Sequence, residues 1–457
     1  MPTTHAFRGW RLAGPLAATA LLLAACAPTT PGSPAAAPPS SAATAAPTSA
    51  VGGNSREVAS LNPRVLYSHA GGLVLLDAVT GKTVSTEERA AFLRLSDAGD
   101  GRHVVVTDGD RFGVYDTGIQ ERPHGDHSHY YEYDAGLTPQ EFPAPKAGHV
   151  VAHEGRTTLW ADGTGEFTWF PSDRVADPGP LAKSMSAPDA HHGVALVLAD
   201  DSILHTVGTT ESRNTIRVVK DGTTLAETDQ CPGIHGEATA KPTASGDVVL
   251  VGCTDGPVVF RDGAFHKVAA PTPYGRTGNS AGSPVSPIVL TDYKSEKDAD
   301  FERPTRVALV DTLTDSLRLV ELGSSYWFRS LARGPHGEAL VLTYDGAIKV
   351  IDPTSGEVTD SIPTIEPWTE HEQWQHPGPS IKVAGHHAYV TDAANHTLVV
   401  VDLSAKKIER TIDLDHAPVE IAVTTGLALE EQSHEAAEHD EHAGHDHDDH
   451  QDAHDHD

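Results

Sequence analysis

The sequence predicts an all-β protein built as a single propeller. Three observations predict it: short apolar runs separated by turn residues, almost no helical periodicity, and a strand pair that returns along residues 61–426. The pair appears first as Arg64–Tyr67 with Gly72–Asp77, and next as His103–Thr107 with Phe112–Asp116. It returns as Glu338–Leu342 with Ala347–Asp352, followed by the turn Pro353–Gly356, and again as His387–Thr391 with Thr397–Asp402. A strand, a polar turn, a strand ending in Asp, and then a Gly or Ser turn with a further polar strand make one four-stranded blade. Eight such units begin near residues 63, 92, 147, 191, 235, 283, 328 and 378, with seven as the alternative count. The first unit lacks its innermost strand. Pro418–Val423, after the last unit, can supply it and close the ring, which removes open sheet edges. A β-sandwich or a pair of β domains is the runner-up architecture, and it leaves the repeat unexplained.

The two ends of the chain read differently. Residues 1–25 carry Arg8 and Arg11, then an apolar run too short to cross a bilayer, then Leu23-Ala24-Ala25 before Cys26. This is the pattern of a lipoprotein signal peptide, with Cys26 as the lipidated residue that anchors an exported protein to the outer face of the cell membrane. Residues 26–60 are mostly Ala, Pro, Ser, Thr and Gly, a composition that cannot bury a core and predicts a disordered tether. Residues 427–457 form an acidic, His-rich tail whose largest residues beyond its start are polar, and the same argument predicts no packed structure there.

Charge and cysteine usage narrow the partners. The formal net charge is −31, and 12 acidic residues with no Lys or Arg lie between Glu430 and Asp457, so −31 less these 12 leaves −19 for the rest. Such a surface repels nucleic acid. With Cys26 assigned to lipid, Cys231 and Cys253 remain as an even pair in an oxidising compartment and are expected to be bridged, on neighbouring strands of one blade.

The 28 histidines fall into two populations. In the tail, His434, His439, His442, His445, His447, His450, His454 and His456 alternate with Asp and Glu, a ligand set for zinc, copper or nickel. In the body, His124, Asp126, His127 and His129 lie within six residues, in what reads as a loop. His149 and His153, four apart, would share one side of an extended strand. His191 and His192 open one unit, and His235 with Glu237 opens the next. A lone histidine is more often structural, but recurrence at the starts of adjacent units brings imidazoles to one central channel. His371, His376, His386, His387 and His416 are weaker candidates, and His69, His103, His205, His266, His336 and His396 read as ordinary surface or turn residues.

At these residues the sequence resembles the periplasmic zinc metallochaperones of the AztD type. The resemblance rests on His124-Gly125-Asp126-His127, on His191-His192-Gly193-Val194-Ala195, on Cys231 with His235-Gly236-Glu237-Ala238 and Gly252-Cys253, and on Phe328-Arg329-Ser330-Leu331-Ala332. It covers about Leu61 to Val423. It implies a β-propeller that binds zinc outside the cytoplasm and passes it to the solute-binding protein of a zinc ABC importer. The positions it marks as ligands are His124, Asp126, His127, His149, His192 and His235, with His129, His153, His191 and Glu237 as weaker additions. Two departures are the His-rich segment at the C-terminus and the lipid tether.

Two other classes stay in view. A metal-dependent enzyme would use three protein ligands, an open position for water and a nearby carboxylate such as Glu237. The sequence carries no Gly-x-Ser-x-Gly elbow, phosphate loop or dinucleotide fingerprint. A protein-interaction propeller would explain the fold and leave the clustered histidines without a role. Convergent His and Asp side chains favour a carrier whose tight site joins the His124–His127 segment to His149, His192 or His235.

Overall fold

The computed structural model describes residues 55–429, so Cys26, most of the tether and the histidines of the tail lie outside the described residues. The described chain is all-β, with eight four-stranded antiparallel sheets and one three-stranded sheet. No described helix is long and apolar enough to cross a membrane.

Period-two alternation builds the sheets, with apolar residues on both faces. In the first sheet, Val65, Tyr67, Val74 and Leu76 pack against Tyr389, Leu398 and Val400 of the eighth. The intervening Leu66, Leu73 and Leu75 pack against Leu93, Leu95, Val104 and Val106 of the second. Successive side chains thus feed two different cores, and slipping the strand by one residue would exchange them. The same device recurs around the molecule: Trp160 and Phe167 of the third sheet meet Ala195 and Val197 of the fourth. Leu204 and Ile216 of the fourth meet Val249 and Phe260 of the fifth.

The Asp residues at the ends of the third strands have a local reason. Asp77 Oδ1 accepts from the N–H groups of Val79 and Thr80, Asp311 Oδ1 from Leu313 and Thr314, and Asp352 Oδ1 from Thr354 and Ser355. Each carboxylate closes the turn into the fourth strand. Asp116 Oδ1 likewise accepts from Gly118 N–H, and its carboxylate takes two further bonds from the buried Arg102 guanidinium, at 2.8 and 2.6 Å.

The eight edge strands that follow the expected unit starts are Ile421–Thr424, Arg94–Asp97, Ala147–His153, Ala195–Val197, Glu237–Thr243, Ser280–Ala281, Leu331–Arg333 and Ile381–Ala384. Ile421–Thr424 pairs antiparallel with Arg64–His69, as expected of the late strand joining the first unit. It also packs beside Ile381–Ala384 and Arg94–Asp97, its neighbours on either side.

Two features differ from the sequence reading. The His124 segment is a β-hairpin, Ile119–His124 with His127–Glu132, inserted between the third and fourth strands of the second sheet. Gly125, at φ +64°, supplies the left-handed turn between its strands. Arg56–Val58, within the span assigned to the tether, pairs with this hairpin through Arg56 opposite Glu132 and Val58 opposite Tyr130. A polar segment can order there because the hairpin offers unpaired backbone groups along its edge.

Candidate metal centre

The unit starts bring three imidazoles together. His149 lies near the beginning of Ala147–His153, where the strand register shifts between Ala147 and Val150 and turns the side chain out of the sheet pattern. His192 precedes Ala195–Val197, and His235 precedes Glu237–Thr243. Their ring centroids lie 5.0 Å apart for His149 and His192, 5.4 Å for His192 and His235, and 6.4 Å for His149 and His235. They come from three successive sheets, which is why distant sequence positions can serve one ion.

Two of the rings are held by a hydrogen bond at Nδ1, and the third faces a carboxylate across a longer gap. His192 Nδ1 lies 2.6 Å from Asp162 Oδ2, His235 Nδ1 lies 2.7 Å from the carbonyl of Gly278, and His149 Nδ1 lies 3.4 Å from Glu237 Oε2. With Nδ1 of His192 and His235 donating to an acceptor, the lone pair of these two rings is on Nε2, the nitrogen a metal takes. Among the described residues no hydrogen-bond partner occupies any of the three Nε2 atoms. The carboxylate atoms Asp162 Oδ1 and Glu237 Oε2 are buried without a hydrogen-bond partner. The residue types suit zinc taken as cargo.

The backbone is equally specific about His235. Its N–H donates to Gly252 O, and Gly252 N–H donates back to Gly236 O. A Cβ at Gly252 would sit 2.0 Å from Thr277 O and 2.5 Å from His235 O. Cys231 and Cys253 are disulfide-bonded beside it, with Cα atoms 5.0 Å apart. Neither cysteine lies on a strand. Cys231 is in the connection leading to His235 and Cys253 in the turn after Gly246–Val251, both buried in the core between the fourth and fifth sheets. The expectation of neighbouring strands in one blade is corrected accordingly.

Charge near the site is balanced. Burial, the Arg276 guanidinium and the neighbouring imidazoles push His235 down to about 3, so this ring is neutral and ready as a ligand at any physiological pH. Arg213 is lowered by burial and then by Arg276, so two guanidiniums and two carboxylates surround the pocket.

The other residues singled out in the sequence lie elsewhere. His191 is a core histidine: it is 1% exposed, its Nδ1 reaches Asp189 O at 2.9 Å and its Nε2 reaches Thr206 Oγ1 at 3.0 Å. Both ring nitrogens are engaged, so it is not a ligand. His103 and His205, read as surface residues, are each 3% exposed. His103 bonds Asp100 at 2.5 Å and His205 packs on Phe167, so apolar neighbours and local carboxylates bury them.

His149 and His153 part company. His153 Nε2 bonds Asp247 Oδ1 at 2.9 Å, and Asp247 Oδ2 accepts from Ala199 N–H at 2.8 Å. With Glu154 these form a second group of ligand types, at the other end of the strand, about 13 Å away for four extended residues.

His124, His127 and His129 form a third group, with ring centroids 5.0 to 5.9 Å apart. Asp126 is fully exposed beside His127, and Glu57 Oε1 lies 2.8 Å from His129 Nδ1. This group does not join the His149 cluster, because strand direction separates them. The edge strands begin at one rim and end at the other: Thr157 donates to Ala98 O, and Asp247 joins His153 to Ala199, so the ends of sheets two to five coincide. The hairpin leaves the second sheet between Asp116 and Gly136, at that lower rim. His149, His192 and His235 stand at the upper rim. The expected mixed site is thus two sites on opposite rims.

Asp162 and Arg276 escaped sequence reasoning. Asp162 is a turn residue after Arg156–Ala161, and a Cβ at Gly148 would come 2.4 Å from its Oδ1. No periodicity marks either residue.

The fold and site together define a propeller-like all-β protein with a rim pocket of anchored imidazoles and buried carboxylates. No family model matches the chain. The zinc chaperone AztD of Citrobacter koseri is 26% identical over 383 residues, spanning 80% of this chain and 87% of that protein. The crystal structure of Citrobacter koseri AztD has a TM-score of 0.67 at 24% identity, covering 79% of this chain and 97% of that one. Apo AztD from the same organism gives 0.65 at 23% identity, with the same coverage. In sequence and in fold the chain is similar to AztD.

Proposed function

We propose that this protein is an exported zinc metallochaperone, not an enzyme, that carries zinc at His149, His192 and His235 and gives it to the solute-binding protein of a zinc ABC importer. The supporting observation is the three imidazoles gathered at one rim, with Nδ1 of His192 and His235 anchored and their Nε2 atoms left free. The relative's name, zinc chaperone, agrees with it. Three imidazoles leave a fourth position of tetrahedral zinc open. His192, with 32% of its side chain exposed, is the ligand a partner can reach. A partner's own ligand can enter that position and draw the ion off stepwise, which a closed four-ligand structural site would resist. On this reading the eight sheets are the eight blades of a propeller closed by Ile421–Thr424, and Cys26 carries the lipid that keeps the protein at the membrane. The tail histidines add metal-binding capacity, since imidazole and carboxylate side chains suit zinc.

The deciding experiment is zinc transfer from the full chain to the periplasmic zinc-binding protein of the same organism, in the presence of a chelator that traps free ion. Transfer faster than loss to the chelator is expected, and H192A/H235A should abolish it. Transfer no faster than chelator capture would leave a storage or structural site.

A further inference from the structure

We propose that Arg213 and Arg276 form a carboxylate-binding site beside the His149, His192 and His235 pocket, and that an Asp or Glu side chain of the protein receiving the zinc enters it. The inference deepens the carrier reading and rests on it for the identity of the partner.

Both arginines stand beside His235 at the upper rim. Arg213 opens the strand Arg213–Lys220, and its carbonyl accepts from the N–H of Ile234, one residue before His235. Arg276 precedes Ser280–Ala281, and its guanidinium packs on Gly278. A Cβ at Gly278 would lie 3.1 Å from Arg276 Cζ and Nη2 and 3.3 Å from His235 Nδ1, so arginine and imidazole share one glycine. Burial and then the Arg276 charge push Arg213 down, which sets the two cations near each other. Both guanidiniums are half-buried, and among the described residues neither has a hydrogen bond or an ion pair. The nearby carboxylates are engaged elsewhere: Asp162 Oδ2 holds His192, Glu237 faces His149, and Asp292 accepts from Gly278 and Asn279. Two unpaired like charges kept out of bulk water beside a site for a dication cost free energy until an anion joins them. Zinc sharpens that need. Three neutral imidazoles bring no charge to the ion, so loading adds two positive charges to the rim. An anion is therefore favoured on the loaded carrier over the empty one, and the same coupling loosens it once the ion has gone. Carboxylate pairs with guanidinium through parallel N–H···O bonds and is also a zinc ligand, so one Asp or Glu can dock beside the ion that it helps to withdraw.

The test uses the full chain with Arg213→Gln and Arg276→Gln, singly and together, the single variants carrying the reading if the double one does not fold. Zinc transfer to the periplasmic zinc-binding protein of the same organism is followed against acceptor concentration. The half-saturating concentration should rise about tenfold in the double variant. A change confined to the maximal rate, as a charge that merely repels zinc would give, overturns the docking role. A second arm needs no acceptor. Acetate is titrated into the full chain with and without one equivalent of zinc, with the arginine Nε–Hε resonances as the readout. Two signals should respond, at about tenfold lower acetate in the loaded protein, and they should be the signals missing from the Arg213→Gln and Arg276→Gln spectra. A response at other arginines, or an equal response with and without zinc, overturns the site. Failure of transfer in the unaltered protein, with the acetate response intact, would instead strike at the carrier reading and leave the carboxylate site standing.

Discussion

At the scale of single residues, the proposed zinc site depends on side chains outside its ligand set. Asp162 orients His192 and increases its basicity, so Asp162→Asn should weaken zinc binding about 10- to 100-fold while the thermal transition hardly moves. An unchanged affinity in chelator competition would remove Asp162 from the site. Arg276 acts in the opposite sense: its positive charge near His235 opposes a cation, and Arg276→Gln should tighten binding several-fold. Weaker binding would mean that Arg276 holds the geometry of Gly278 instead. The histidines themselves were legible, since His149, His192 and His235 recur at the starts of successive units. Asp162 and Arg276 were not, because a turn Asp and a loop Arg acquire meaning only from what packs beside them. His191 shows the converse: next to His192 in sequence, it turns inward to Thr206 and is spent on the core.

Among elements, the connection carrying His235 is the most constrained. Gly252→Ala would force a methyl group into Thr277 O and His235 O, so it should displace His235 and lower zinc affinity along with the unfolding temperature. A variant with both properties unchanged would show that the connection relaxes freely. Reduction of Cys231–Cys253, which closes a separation of 22 residues, should cost about 3 kcal/mol in the chain-entropy view, measured as a lower urea midpoint. The blades were readable as strands because their alternation is strong on both faces. The hairpin was not, because Ile-Gln-Glu-Arg-Pro-His carries no alternation and its pairing partners, Arg56–Val58 and the edge near Gly426, lie far away in sequence. A cluster of three histidines therefore looked like a loop over the channel and proved to be a strand pair at the opposite rim.

For the whole molecule, buried histidines set the response of stability to pH. Burial pushes His205 down to about 4, so the folded protein keeps it neutral while the unfolded chain protonates it near 6.5. Its contribution is present above pH 6.5 and is lost as pH falls toward 4, by about 3 kcal/mol. His103 has the opposite sign: despite burial, Asp100 and then Asp116 raise it to about 9, so its contribution is full below 6.5 and fades as pH rises through 9. Urea unfolding across pH 4 to 10 should therefore show a stability maximum between these limits, and His205→Gln should flatten the acid limb. An acid limb unaltered by that substitution would assign it to other groups. The sequence by itself determined the all-β class, the positions of the eight units, the late strand that joins the first, and the histidines at three unit starts. All of these are encoded in local alternation, turn chemistry and recurrence. Which imidazoles share a pocket was decided only by the tertiary structure. Strand direction places the start and the end of one strand on different rims, and the packing of successive sheets brings Asp162, Glu237 and Gly278 behind the rings that they hold.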